Sequence, residues 1–198
     1  MSYSPIRFMK LPKQLGSLRS ILLATVCLAG MSWTSIQAQS ADEPKPSAEQ
    51  KKLEIFVGEW EYQGGGKETP LGPGGKFTGR EVSKMILNGF FVESQWKDKA
   101  ETGYSAEGIV MRWYDSTTKT FRETGFENDG SASPGTSTVS GNTWTTTGTR
   151  ADKQGKSYQV KFTTTFSADG KSGTTKAEYS ADSKIWMPWW DLTMKKVK

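Results

Sequence analysis

The sequence predicts an all-β domain, a barrel or a sandwich, on three observations. From Trp60 onward, runs rich in Thr, Tyr, Phe, Trp and Val alternate with turn clusters such as "LNGF", "YDSTTK", "ENDG", "DKQGK" and "ADGK". About ten such runs follow one another at regular spacing, and no stretch has the length and period of a long helix. In "SYQVKFTTTF", Tyr158, Val160, Phe162 and Phe166 fall on one face and Gln159, Lys161, Thr163 and Thr165 on the other, the pattern of a strand with one apolar and one wet side. There is no fixed-period repeat, which argues against a solenoid or propeller.

Taken in order, residues 1–40 carry Arg7, Lys10, Lys13 and Arg19 without an acidic residue, then the apolar run "ILLATVCLAGM", then small residues around "IQAQSA". That order predicts a secretory signal peptide cut near Ser40, with Ala38 and Ser40 as the small residues of the site. The apolar run is shorter than the roughly 20 residues a bilayer span needs, so no stable membrane insertion is expected. Val26 is too bulky to precede a lipidated Cys27. The expected location is therefore the periplasm or the extracellular space. The whole chain has 26 basic and 21 acidic residues, and setting aside the four basic residues of the leader leaves 22 and 21. The remaining lysines are spread among carboxylates, so nucleic acid is not an expected partner.

Residues 41–198 are enough for one domain with a sizeable core, and they contain neither Cys nor His. No disulfide framework can hold the fold, although an exported protein could have one. Ordinary zinc sites, His- or Cys-ligated haem and His-based triads are excluded by composition. We assign no catalytic residue, metal or cofactor. Residues 41–50, "ADEPKPSAEQ", read as a flexible lead, and residues 51–198 as the domain. "AEQKKLEIFVG" predicts one or two helical turns with Leu53, Phe56 and Val57 facing the core. "GGGKETPLGPGG", residues 64–75, is a long loop after the first strand.

Asn88-Gly89 predicts a two-residue hairpin turn, because a type I′ loop needs positive φ at both positions. The register then opposes Leu87 to Phe90, Met85 to Val92, Ser83 to Ser94 and Glu81 to Trp96 on one side, and Lys84 to Glu93 on the other. Glu81 thus lands on a mostly apolar face beside Trp96, where a carboxylate demands a partner or a ligand. An exposed rim position or an ion pair with an Arg would also account for it. Ala177 and Tyr179 share one face of the strand after "SYQVKFTTTF", with Lys176 and Glu178 on the other.

Four pieces carry a family resemblance: "FVGEWEY", "LNGFFVESQW", "EGIVMRWYDSTTKTFRETGFENDG" and "DSKIWMPWWDLTMKK". In this order they resemble DUF1579, a bacterial domain of unknown function grouped with the lipocalin-like calycins. Gly58-Glu59-Trp60 is similar to the G-x-W step of lipocalins. The resemblance implies an antiparallel up-and-down lipocalin-like barrel of about 8–10 strands with a short N-terminal helix. It further implies that Gly58 and Trp60 form a plug at one end, a site that in lipocalins often lies under an Arg of the last strand. Here the last strand offers Lys195 and Lys196 instead. The haem-binding nitrobindin type of calycin uses a His ligand, which this chain lacks.

Beyond Trp60, the domain has Trp96, Trp113, Trp144, Trp186, Trp189 and Trp190, more than packing of a domain this size requires. Strand alternation proposes Glu81, Trp96, Trp113, Trp144, Phe162 and Trp190 as the lining of a ligand site, with Glu81 as polar anchor. In "WMPWW", Pro188 marks a bulge or an edge, and alternation puts Trp189 outward as a surface contact. Glu59 and Glu61 share a side of the first strand, the arrangement of a carboxylate pair or of a solvated face. "ENDG" offers oxygen ligands but lacks the spacing of a calcium loop. The expected function is that of an exported binder of a small apolar or amphipathic molecule in the barrel interior. The alternatives are a non-catalytic interaction protein of the cell envelope and a carboxylate-dependent enzyme.

Overall fold

The structure, a computed structural model, describes residues 43–198. The leader reading and its cut site fall on residues outside this range. Ser47 opens the first element by a reciprocal cap: its hydroxyl accepts from the Gln50 N–H while the Gln50 side chain accepts from the Ser47 N–H. The helix α1, Ala48–Lys51, takes the last three residues of the lead and runs into a 3₁₀ turn, Lys52–Phe56. Leu53 is only 1% exposed and Phe56 faces the aromatic cluster described below.

Ten strands follow: β1 (Gly58–Gly66), β2 (Gly75–Ile86), β3 (Phe91–Ala100), β4 (Ser105–Asp115), β5 (Thr120–Glu127), β6 (Ala132–Ser140), β7 (Thr143–Ala151), β8 (Ser157–Phe166), β9 (Ser172–Ser180) and β10 (Met187–Lys196). Each pairs antiparallel with the next, and β10 returns to β1, so the sheet closes into a barrel without edges. Period-2 alternation then sends one face of every strand inward. The inward rows can be followed around the barrel by register: Trp60 opposes Glu81, Glu81 opposes Trp96, and Trp96 opposes Gly108.

The β2–β3 hairpin has the predicted register, with Met85 opposite Val92, Ser83 opposite Ser94 and Lys84 opposite Glu93. Its turn is longer than a two-residue loop. Leu87, Asn88 and Gly89 all have positive φ, and Phe90 donates its N–H to the Leu87 carbonyl at 3.2 Å. The register survives because adding one residue on each side of Asn88-Gly89 leaves the opposed pairs unchanged.

One end of the barrel is sealed. Leu53, Trp60, Val92, Phe121, Trp144 and Phe166 form a buried cluster, with Phe56 edge-on to Trp144 at 4.9 Å and to Phe166 at 5.4 Å. The Trp60 indole N–H donates to the Phe56 carbonyl at 2.8 Å, which ties the 3₁₀ turn to the first strand. Lys196 lies over the other aspect of the plug, its Nζ 4.8 Å from the Trp60 ring centroid. The cation expected from the last strand is therefore present as a lysine.

Candidate functional site: the barrel interior

Above the plug the interior changes character. Hydroxyls pair across neighbouring strands on the inward face: Ser83 with Ser94 at 2.6 Å, Ser137 with Thr146 at 2.7 Å, and Thr164 with Thr175 at 2.9 Å. Arg112 of β4 is set among them. Its Nη1 donates to Ser94 Oγ at 2.6 Å and lies 3.7 Å from Glu81 Oε1, while its Nε donates to Glu123 Oε2 at 3.3 Å. Its guanidinium also covers the Phe56 ring at 4.5 Å, so the plug and the polar belt share one cation. Ser83 donates to the same Glu81 oxygen at 2.8 Å. The ion pair with an Arg, one of the readings open for Glu81, is thus the one realised.

Continuing away from the plug, Tyr62 donates its hydroxyl to Asp98. Burial pushes the Tyr62 phenol well above its ordinary value, helped by the charges of Asp98 and Glu81. Burial also raises the Asp98 carboxyl, against the lowering effect of the Tyr62 hydrogen bond, and Glu81 adds to the rise. Nearer the far mouth, Arg150 pairs with Glu127 and lies 5.5 Å over the Trp189 ring. Desolvation lowers the Arg150 pKa from its usual value.

The far mouth is aromatic. Trp190 packs edge-on to Phe77 at 6.0 Å and against Phe162 at 5.7 Å. Trp189 joins the buried pair Val160 and Ala177, and Leu71 of the β1–β2 loop packs against this cluster. Here the structure corrects the outward placement of Trp189, which is only 8% exposed. The register of β10 against β9 shifts between Pro188 and Trp190, and this bulge turns the Trp189 side chain into the cluster beside Trp190. Trp186 instead packs under the Lys161 ammonium at 4.3 Å.

A second correction concerns Trp113. It opposes Phe91 and Arg122, whereas its neighbour Arg112 opposes Val92 and Glu123 on the inner face. Trp113 therefore lies on the outer face, 6.2 Å from Phe91, and does not line the interior. Both faces of β4 carry apolar residues, Val110 and Tyr114 inward and Ile109, Met111 and Trp113 outward, so alternation could not tell them apart. Of the remaining proposed residues, Glu81 and Trp96 meet as opposed residues and Phe162 and Trp190 meet in the mouth cluster. Trp144 sits in the plug. Glu59 faces out and is held by Arg80 and Lys198, which keep its carboxyl below the usual range, Arg80 first.

Glycines on the inward rows explain how so many aromatics share one barrel. A Cβ at Gly108 would meet the Trp96 ring at 2.7 Å and one at Gly64 would meet the Phe77 ring at 2.7 Å, while one at Gly66 would meet the Cβ of Trp190 at 2.8 Å. At Gly108 and Gly64 the rings of Trp96 and Phe77 occupy the space over bare backbone that a side chain would otherwise fill. The inward charged groups accordingly keep some access to solvent: the side chains of Glu81, Arg112 and Glu123 are 22%, 14% and 19% exposed. A depression of about 840 Å³ also crosses the outside of β9, β10, β1, β2 and β3, lined mostly by outward residues such as Gln63, Thr78, Lys99 and Thr193, and holds none of the lining residues proposed from the sequence. Among the described residues no cluster of three or more His, Cys, Asp or Glu side chains is placed to hold a metal ion.

The comparisons with known proteins agree with this architecture. A family model described as "Protein of unknown function (DUF1579)" matches residues 45–187, from two residues before the cap of α1 to the first residue of β10. The chain belongs to the DUF1579 family. Among solved structures it is similar to Rv2717c from M. tuberculosis, with a TM-score of 0.54 and 11% identity, covering 77% of this chain and 99% of that one. At such identity the likeness shows the fold alone. A de novo designed fluorescence-activating β-barrel aligns with a TM-score of 0.39 and 14% identity over 72% of this chain and 94% of that one, too remote to carry an argument. None of the curated proteins compared matches this DUF1579 chain.

Proposed function

We propose that this DUF1579 protein is an exported carrier that holds a small amphipathic molecule inside its barrel. The observation that carries this reading is the construction of the interior: the Trp96 and Phe77 rings set over glycine, above a sealed floor, with inward carboxylates and an arginine still reached by solvent. A barrel of ten strands is wide enough for side chains alone not to fill it. Aromatic walls with a few placed polar groups are the usual composition of a small-molecule site. Export rests on the basic, apolar and small-residue order of residues 1–40.

Native mass spectrometry of the full chain purified from its own host, compared with the same sample after organic extraction, tests the reading. The expected result is a retained small molecule lost on extraction. An empty barrel in both samples would overturn it. Weight would then pass to an interaction role, which the outer face of β2–β5 favours: Val82, Ile109 and Phe126 are 43%, 39% and 47% exposed there, beside Trp113 and Phe91.

A further inference from the structure

The interior has more carboxylates than cations to match them. Four acids occupy inward rows: Glu81 on β2, Asp98 on β3, Glu123 and Glu127 on β5. Arg112 serves both Glu81 and Glu123, Arg150 serves Glu127, and Lys196 is held over Trp60. Asp98 is left with a neutral phenol, Tyr62, as its side-chain partner. It sits opposite Gly79, whose lack of a Cβ gives Tyr62 and Asp98 room to meet. Trp96 lies two residues before it on the same inward face of β3, its ring over the bare backbone of Gly108 and half-buried.

A carboxylate without a cation, two residues from an indole on the same inward face, both half-buried and so within reach of solvent, is the chemistry that selects an organic ammonium. The carboxylate supplies charge and the ring supplies a cation–π contact. An anionic head group would instead meet Asp98, Glu81 and the Trp96 face, all of which repel it. Resting on the carrier reading above, we propose that the molecule held in the barrel is a cationic amphiphile whose ammonium sits between Asp98 and Trp96 and whose apolar part runs to Phe77, Phe162 and Trp190. Tyr62 orients Asp98 by its hydrogen bond, and Glu81 adds negative potential without giving up Arg112.

The test uses the full chain and three probes with one tail, decylamine, decanoate and decanol, titrated below their aggregation concentrations and read by tryptophan fluorescence. Decylamine is expected to bind at least tenfold tighter than decanoate. In Asp98→Asn its affinity falls about tenfold while that of decanol is unchanged, since the amide keeps the Tyr62 hydrogen bond but not the charge. Circular dichroism checks that the variant is folded, and Glu81→Gln, expected to weaken decylamine binding by a smaller factor, stands in for it if it is not. Decanoate binding as tightly as decylamine, or a loss in Asp98→Asn equal for decylamine and decanol, overturns the ammonium site and leaves the carrier reading standing. Failure of all three probes to bind overturns both.

Discussion

Replacing Arg112 by Met is the perturbation that probes the interior most directly. Met keeps the length and apolar stem of the side chain, so the change is chiefly the loss of charge and hydrogen bonds. Four interactions go at once: the hydrogen bond to Ser94, the contacts to Glu81 and to Glu123, and the guanidinium over Phe56. Removing one partner of a fully buried ion pair costs about 3–5 kcal/mol, because the other charge is stranded. Side-chain exposures of 22% for Glu81 and 19% for Glu123 let water repay part of that. We therefore expect a loss of about 2–3 kcal/mol, which for a domain of this size lowers the melting temperature by roughly 5–10 °C. Thermal unfolding followed by near-UV circular dichroism measures it. Adding Glu81→Gln and Glu123→Gln should restore about half of the loss, since no stranded charge remains, and the non-additivity is itself the signature of a shared network. A melting temperature within about 2 °C of wild type, or a triple variant no better than Arg112→Met, would refute the reasoning.

Leu53→Ala should cost about 2–4 kcal/mol in urea unfolding, because Leu53 is 1% exposed beneath the plug and the cavity cannot collapse against a closed strand ring. Asp98→Asn should be more stable than wild type near neutral pH by on the order of 1 kcal/mol, and no more stable near pH 3. The sign follows from the raised carboxyl: ionising Asp98 costs more in the fold than in the unfolded chain, so wild-type stability falls as pH rises from the ordinary aspartate range through the raised value. Urea midpoints at the two pH values check it, and a residue kept at a cost to stability fits a role in binding. Lys196→Met should lower stability by about 0.5–1 kcal/mol and Lys196→Arg should not, as read by melting temperature, if the ammonium over Trp60 matters for its charge.

Much of the barrel was legible because strands with one wet face announce their own orientation. β8 is the clearest case, with Tyr158, Val160, Phe162 and Phe166 inward as read. The β2–β3 register was legible from two residues, Asn88 and Gly89, because turn geometry fixes every pair behind it. That same register, extended one step beyond Glu81 and Trp96, opposes Gly79 to Asp98 and would have exposed the unmatched carboxylate. Arg112 was missed where β4 is apolar on both faces, since the ring of Trp113 is the larger hydrophobe and only the closed topology shows that it points out. Trp189 was misplaced because a proline indicates that a bulge occurs but not which residue it turns, a question settled by packing against Phe162 and Trp190. The DUF1579 pieces, finally, were legible as an ordered set, while the Tyr62–Asp98 hydrogen bond joins strands β1 and β3, which pair only through β2 and which no single hairpin register reveals.

The seam between β1 and β10 has a consequence in time. Every other strand finds its partner among near neighbours in the chain, but Trp60 must wait for Lys196. Contacts between the two ends of a chain are the slowest to form, because the loop they close is the longest. Until residues 187–196 are available, β1 and β9 are bare edges and the aromatic floor has no complete ring to sit in. The closed interior comes into being only with this last pairing, so it belongs to a finished chain and never to a growing one.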